Sequence, residues 1–339
     1  MNVRSLRALR GLGSLAAACA LGVLVAGCGG GAAGSSALPT KPLSPASAFK
    51  PKIFPLMHIS RSSIKVAMAK LTRSGAYFSP IKGGKPTRIH TATVSAGMNL
   101  TNNGGPVVPT ASVYNILVNC PDESCWGGDI SGFENSFFSS DMIHILDQYV
   151  GQSATYTVGG DIPVTYNTSN QLGDQDIVNI IYNVAQQYGT GYNAVYNVFL
   201  ESGVQQCSQN AGGCYLQQYC AYHGSNDYSD IGHTLYTVEP YQDVSGCQVS
   251  SVSNGGQSPN GSTIDSTSST LSHELSETFT DPDVAVNNLA WYNSSGGEIG
   301  DLCAPAAGVP TQQISLNGTV FEIQGEYDNN VSDCSWQSP

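Results

Sequence analysis

Past Arg88 the chain has no lysine and no arginine, and before Asp122 it has no aspartate and no glutamate. All 13 cationic side chains therefore lie within residues 1–88, and all 25 carboxylates lie in the stretch 89–339. The C-terminal region can form no internal Lys or Arg salt bridge. Its carboxylates must be solvated, hydrogen-bonded, protonated or bound to a cation. Long apolar runs are also scarce. One spans about Leu12 to Ala26, and nothing later in the chain has the length to span a bilayer. No paired CxxC knuckles occur, which argues against a cysteine zinc site. An acidic folded part makes nucleic acid an unsuitable partner.

What is present begins with Arg4, Arg7 and Arg10, then the apolar run, then Val25-Ala26-Gly27-Cys28. Small residues before a cysteine resemble the lipobox of bacterial lipoproteins. Residues 1–27 read as a lipoprotein signal peptide, with Cys28 carrying the lipid. The chain is expected in the cell envelope, lipid-anchored on the extracytoplasmic side. Gly29 points to the outer membrane if the organism has two. Residues 28–95 read as a lipid-anchored tether and basic arm, and residues 96–339 as one acidic domain. The arm is expected to lie on anionic head groups.

Ten cysteines are present, and Cys19 and Cys28 belong to the signal and the anchor. Cys120, Cys125, Cys207, Cys214, Cys220, Cys247, Cys303 and Cys334 are left, an even number that reads as disulfides in an exported chain. Pairing neighbours in order is the expectation, because it closes short loops.

Periodicity predicts strands at Tyr114 to Val118, Val195 to Leu200 and Leu235 to Tyr241, and helices over Phe133 to Val150, Asp174 to Tyr188 and Asp265 to Thr280. Asp281-Pro282 ends the last helix. Asn317-Gly318 marks a hairpin within Gln313 to Ile323. The expected class is α/β or α+β: a single disulfide-stapled domain with a mixed sheet flanked by helices, in which a zincin-like arrangement is one form.

The sharpest motif is His273-Glu274-Leu275-Ser276-Glu277. Residues four apart share a helix face, so His273 and Glu277 can hold one ion while Glu274 serves as general base for a metal-bound water. Glu298 follows about twenty residues on, as in the gluzincin metalloproteases, which this layout resembles. The second histidine of that pattern is here Glu277. One imidazole with two carboxylates makes a harder site, drawing zinc or a harder divalent ion such as manganese or calcium. Asp301 is an alternative ligand or a supporting acid, and His223 an alternative second imidazole. The same residues also read as solvent-facing or structural. His144 falls within a helical pattern and reads as structural. Trp126, Trp291 and Trp336 could form a glycan-stacking surface.

Several segments together resemble the phosphate-induced protein, or EXORDIUM, family of plants and its bacterial relatives. They are Gly104-Gly105-Pro106-Val107, the strand at Tyr114, Cys220-Ala221-Tyr222-His223 with Tyr236 and Cys247, and Ser272 to Glu277 through Thr280-Asp281-Pro282. Trp291-Tyr292, Glu298-Ile299-Gly300-Asp301-Leu302-Cys303 and the tail Phe321 to Cys334 complete the set. The resemblance implies an extracellular protein linked to growth and cell-wall expansion, without assigning a reaction. The lipid anchor and basic arm depart from the plant proteins. Two functions stand open at this point. One is a metal-dependent, peptidase-like hydrolase. The other is a non-catalytic surface protein that binds cell-wall glycan, peptide or another partner.

Overall fold

In a computed structural model, residues 49–60, 99–169, 171–249, 258–283, 288–294 and 296–338 are described. The signal peptide, Cys28 and most of the basic arm lie outside them. The centre of the fold is a six-stranded sheet made of β1 (Met57–His58), β2 (Thr110–Val118), β3 (Thr155–Thr165), β4 (Ala194–Leu200), β5 (Tyr222–Tyr228) and β6 (Gly232–Glu239). Their order is β1-β3-β2-β4-β6-β5, with all neighbours parallel except the antiparallel edge strand β5. The mixed sheet flanked by helices is as expected. No helix among the described residues is long and apolar enough to cross a membrane.

The sheet begins earlier than the charge pattern indicates. Residues 49–60, read from sequence as part of the arm, run along β3. Met57 pairs with Val164, the amide of Phe54 donates to the Asp161 carbonyl at 2.8 Å, and Ile59 is buried. The Phe54 ring lies 4.5 Å from that of Tyr188, with Lys52 Nζ 4.3 Å above Phe54.

Strand β3 is absent from the sequence reading because Gly159, Gly160 and Pro163 interrupt it. The register shifts at Val113/Tyr114, and a Cβ on Gly159 would sit 2.5 Å from the Tyr114 ring. Glycine is needed where that ring crosses the strand. Strand β5 escaped because its sequence is polar, although six of its seven residues are buried.

Among the described residues the longer helices beside the sheet are α1 (Ile130–Phe138), α2 (Asp174–Tyr188) and α3 (Ser262–Thr280). The helix expected over Phe133 to Val150 is broken. After α1, Ser140 is extended (φ −95°, ψ 164°) and its hydroxyl bonds the Phe137 carbonyl at 2.8 Å, so the chain restarts as a 3-10 turn over Asp141–Leu146. Helix α2 matches its predicted bounds, with Ile177, Ile180, Ile181 and Val184 turned into the core.

Helix α3 carries the motif and is buried nearly all round. Leu271, Leu275 and Phe279 repeat every four residues into a core shared with α1. Apart from Asp265, His273, Glu274 and Glu277, its other faces are mostly serine and threonine. Several of their hydroxyls bond preceding carbonyls, as in Thr267 to Thr263 at 2.9 Å and Thr280 to Ser276 at 2.9 Å. Small polar side chains let β5, β6 and the hairpin β7 (Gln312–Leu316) and β8 (Thr319–Ile323) pack closely around the helix. Asn317 (φ 47°) and Gly318 (φ 92°) make the hairpin turn, as expected.

Four disulfides join neighbours in order: Cys120–Cys125, Cys207–Cys214, Cys220–Cys247 and Cys303–Cys334. The last two staple the segments that deliver His223 and Asp301.

Candidate metal centre

The one-turn spacing on α3 puts His273 and Glu277 side by side, His273 Nε2 3.1 Å from Glu277 Oε1. Strand β5 brings His223 to the other carboxylate oxygen, with Nδ1 3.3 Å from Glu277 Oε2 and 3.4 Å from Glu274 Oε2. The loop after Trp291-Tyr292 supplies Glu298 and Asp301. Asp301 Oδ1 stands 4.0 Å from His273 Nε2, and its backbone amide donates to Glu277 Oε1 at 3.1 Å. Two three-residue groups able to hold an ion result, and they share Glu277: His273, Glu277 and Asp301, and His223, Glu274 and Glu277.

Glu298 is placed differently from the gluzincin-like expectation. Its Oε1 lies 3.5 Å from His223 Nε2, while Glu277 faces Nδ1 of the same ring, and its Oε2 accepts from the Tyr292 hydroxyl at 3.2 Å. Asp301, the alternative ligand from sequence, takes its place beside His273. His223, which sequence could name but not position, stands against Glu277.

Glycine at 300 has a local cause. A Cβ there would lie 2.5 Å from His273 Nδ1, so only glycine lets the Glu298–Asp301 loop close on the imidazole. The Gln324 amide nitrogen lies 3.0 Å from that Nδ1 and donates to the Gly300 carbonyl at 3.2 Å, tying ring, loop and hairpin together. Asp281 closes the helix and accepts from the Ala290 amide at 2.6 Å.

His223, His273, Glu274, Glu277 and Glu298 are all 0% exposed, whereas the Asp301 side chain is 27% exposed. Asp301 is the side on which the group opens. Cavities of about 730 and 420 Å³ lie elsewhere in the domain, and neither is lined by these residues.

The electrostatics are those of acids crowded without lysine or arginine. Burial alone would lower His273, yet Glu277, Glu274 and Asp301 lift it to about 10. Burial likewise opposes the charged form of His223, and Glu298, Glu274 and Glu277 hold it well above its ordinary value. Glu277 is held down at about 2: burial resists, but the two imidazoles outweigh it. Burial, then the Glu277 charge, pushes Asp301 up to about 7 and Glu298 well above the usual carboxylate range. Glu239 and Glu326, wholly buried nearby, are raised by burial as well.

Glu274 Oε1, Glu298 Oε1 and Asp281 Oδ2 are buried without a hydrogen-bond donor among the described residues. Unpaired buried oxygens at such density are what a bound cation relieves. The donor set fits a divalent ion.

Elsewhere, His144 sits at the surface, with Nδ1 3.2 Å from Asp147 Oδ2. The three tryptophans form no common surface. Trp126 is fully buried, with Nε1 donating to Leu200, and Trp291 Nε1 donates to Tyr149. A buried polar network that sequence gave no hint of lies on α1. Glu134 accepts from Asn115 and Asn197, both at 2.9 Å, and Asp161 accepts from Ser131 at 2.8 Å.

No family model, curated protein or solved structure matches the chain.

Proposed function

We propose that this is an exported, lipid-anchored envelope protein whose domain holds one divalent cation on His273, Glu277 and Asp301. The carrying observation is the Glu277 carboxylate, one oxygen toward each imidazole, in a buried cluster with no Lys or Arg. One nitrogen and two carboxylates suit zinc or manganese, and calcium less well because of the imidazole. The anchor at Cys28 and the basic arm hold the domain at the membrane. The segment resemblance to EXORDIUM-like proteins agrees with an extracytoplasmic setting.

Hydrolysis is the second reading, and Glu274 favours it. Glu274 follows His273 directly, Oε1 has no donor, and burial raises its pKa while His223 hydrogen-bonds Oε2. A cation bound here would supply Lewis acidity and acidify water. Glu274 would take the proton, and His223 would steady the Glu274 carboxylate. Packing of α3 against the antiparallel edge strand supports a zincin-like arrangement. The enclosure of every member but Asp301 favours coordination over turnover, since catalytic centres keep an open position.

Metal analysis of the purified protein tests the reading. One equivalent of divalent ion is expected, lost in His273→Asn and in Asp301→Asn variants that keep the wild-type circular dichroism. Unchanged metal in both variants rejects the ligand set. Glu274→Gln separates the two readings, because it spares the ion and abolishes any peptidase activity.

A further inference from the structure

The larger cavity lies away from the metal centre, between the turn after α1, the β7–β8 hairpin and the C-terminal tail. We infer that it binds a neutral oligosaccharide, stacked on Trp336. The cavity measures about 730 Å³ and is lined by Trp336, Asp141, Gln312, Ser315, Asn317 and Gln337 among others. That volume lies within the roughly 300–1,000 Å³ usual for small-ligand sites.

Three features fix the tryptophan as a platform. Its Nε1 donates to the Ile323 carbonyl at 3.1 Å. Gly325 backs the ring, since a Cβ there would lie 2.9 and 3.0 Å from Cε2 and Cδ2. The Cys303–Cys334 disulfide pins the strand two residues before it. The ring is thus held before any ligand arrives, so stacking costs little ordering. Around it, Asp141, Gln312 and Ser315 are exposed, and their side chains make no hydrogen bond with the described residues. A carboxylate, amides and hydroxyls beside a fixed indole face are the groups that sugar hydroxyls and C–H faces engage.

Charge narrows the class. No lysine or arginine occurs after Arg88, and the wall carries Asp141, so an anionic polysaccharide meets no counter-charge. A basic peptide could meet Asp141 and the indole face with its cations, but it would have to order long flexible side chains and backbone that a rigid sugar ring does not, so the oligosaccharide is favoured.

The test is calorimetric titration of the intact protein with hexamers of β-1,4-linked glucose and of β-1,4-linked N-acetylglucosamine, and with a lysine hexapeptide. Saturable binding of at least one sugar is expected, weakened about tenfold by Trp336→Ala and less by Trp336→Phe. Asp141→Ala and Gln312→Ala, both at the surface, should weaken it in a protein of unchanged melting temperature. They keep the test alive if Trp336→Ala does not fold. Binding of neither sugar, binding of the peptide alone, or sugar binding untouched by these variants overturns the inference. Metal content should be the same in all of them, so failure here is separate from failure of the metal centre.

Discussion

Glu277 Oε1 lies 3.1 Å from His273 Nε2, one helical turn away, and both side chains are sealed from solvent. A lone pair of this kind would be a costly buried ion pair. Here Asp301 joins them from one side and His223 from the other, and the surplus of carboxylates calls for a cation. Chelation should therefore lower the melting temperature, and adding back zinc or manganese should restore it by mass action. Scanning fluorimetry with and without chelator checks this. Identical curves would mean that protons alone satisfy the cluster.

Gly300→Ala should act like the loss of a ligand without removing one. The added methyl would have to displace His273 or the loop. Weaker ion binding is expected, together with a melting temperature lower than that of Gly308→Ala, a glycine whose Cβ meets nothing within 4 Å but whose φ of 89° imposes its own strain. Equal ion affinity in wild type and Gly300→Ala would detach the loop from the centre.

The disulfides should contribute unequally. Cys220–Cys247 and Cys303–Cys334 span 27 and 31 residues, whereas the other two span 5 and 7. Loop entropy assigns about 3–4 kcal/mol to each long bridge and about 2 to each short one. Paired Cys→Ser variants, compared by denaturant midpoint, should follow that order. A short-loop variant that loses more than either long-loop variant would contradict it.

The ion-free protein should be most stable in mild acid. Burial is the leading cause, and like-charge repulsion among the carboxylates adds to it. Burial, then the Asp161 charge, pushes Glu123 up to about 7 from 4.5, and burial raises Asp161 and Glu134 too. A carboxyl raised on folding adds stability that is fully present below its unfolded pKa and lost as pH rises through the folded one. For Glu123 the window runs from 4.5 to about 7. Glu277, held at about 2, acts oppositely but only below that window. Melting temperature should fall from mild acid to neutrality, and Glu123→Gln should flatten the fall. A steady climb over the same range would refute the claim.

Much of the frame is legible in the amino-acid order. Ile177, Ile180, Ile181 and Val184 fix α2, and Asn317-Gly318 fixes the hairpin turn. The cysteines pair as their proximity implies. The two strands that escaped share one cause: they are polar or glycine-rich segments made regular by their neighbours. β5 is ordered by pairing with β6 and packing on α3, and β3 tolerates Gly159 and Gly160 because the Tyr114 ring and the segment 49–60 cover it. The same holds at the centre. HExxE spacing announces His273 and Glu277, but local spacing cannot show that β5 delivers His223 or that Asp301, not Glu298, faces His273.

The most direct measurement is the stoichiometry and affinity of divalent-ion binding in wild type and Glu277→Gln, by competition with a chromophoric chelator. Glu277 belongs to both ion-holding groups, so no rearrangement among the others replaces it. One tightly held ion per chain in wild type, and binding weakened at least about a hundredfold in the folded variant, is the expected result. A wild-type protein that takes up no ion, or a variant that binds as tightly as wild type, would contradict a metal centre built on Glu277.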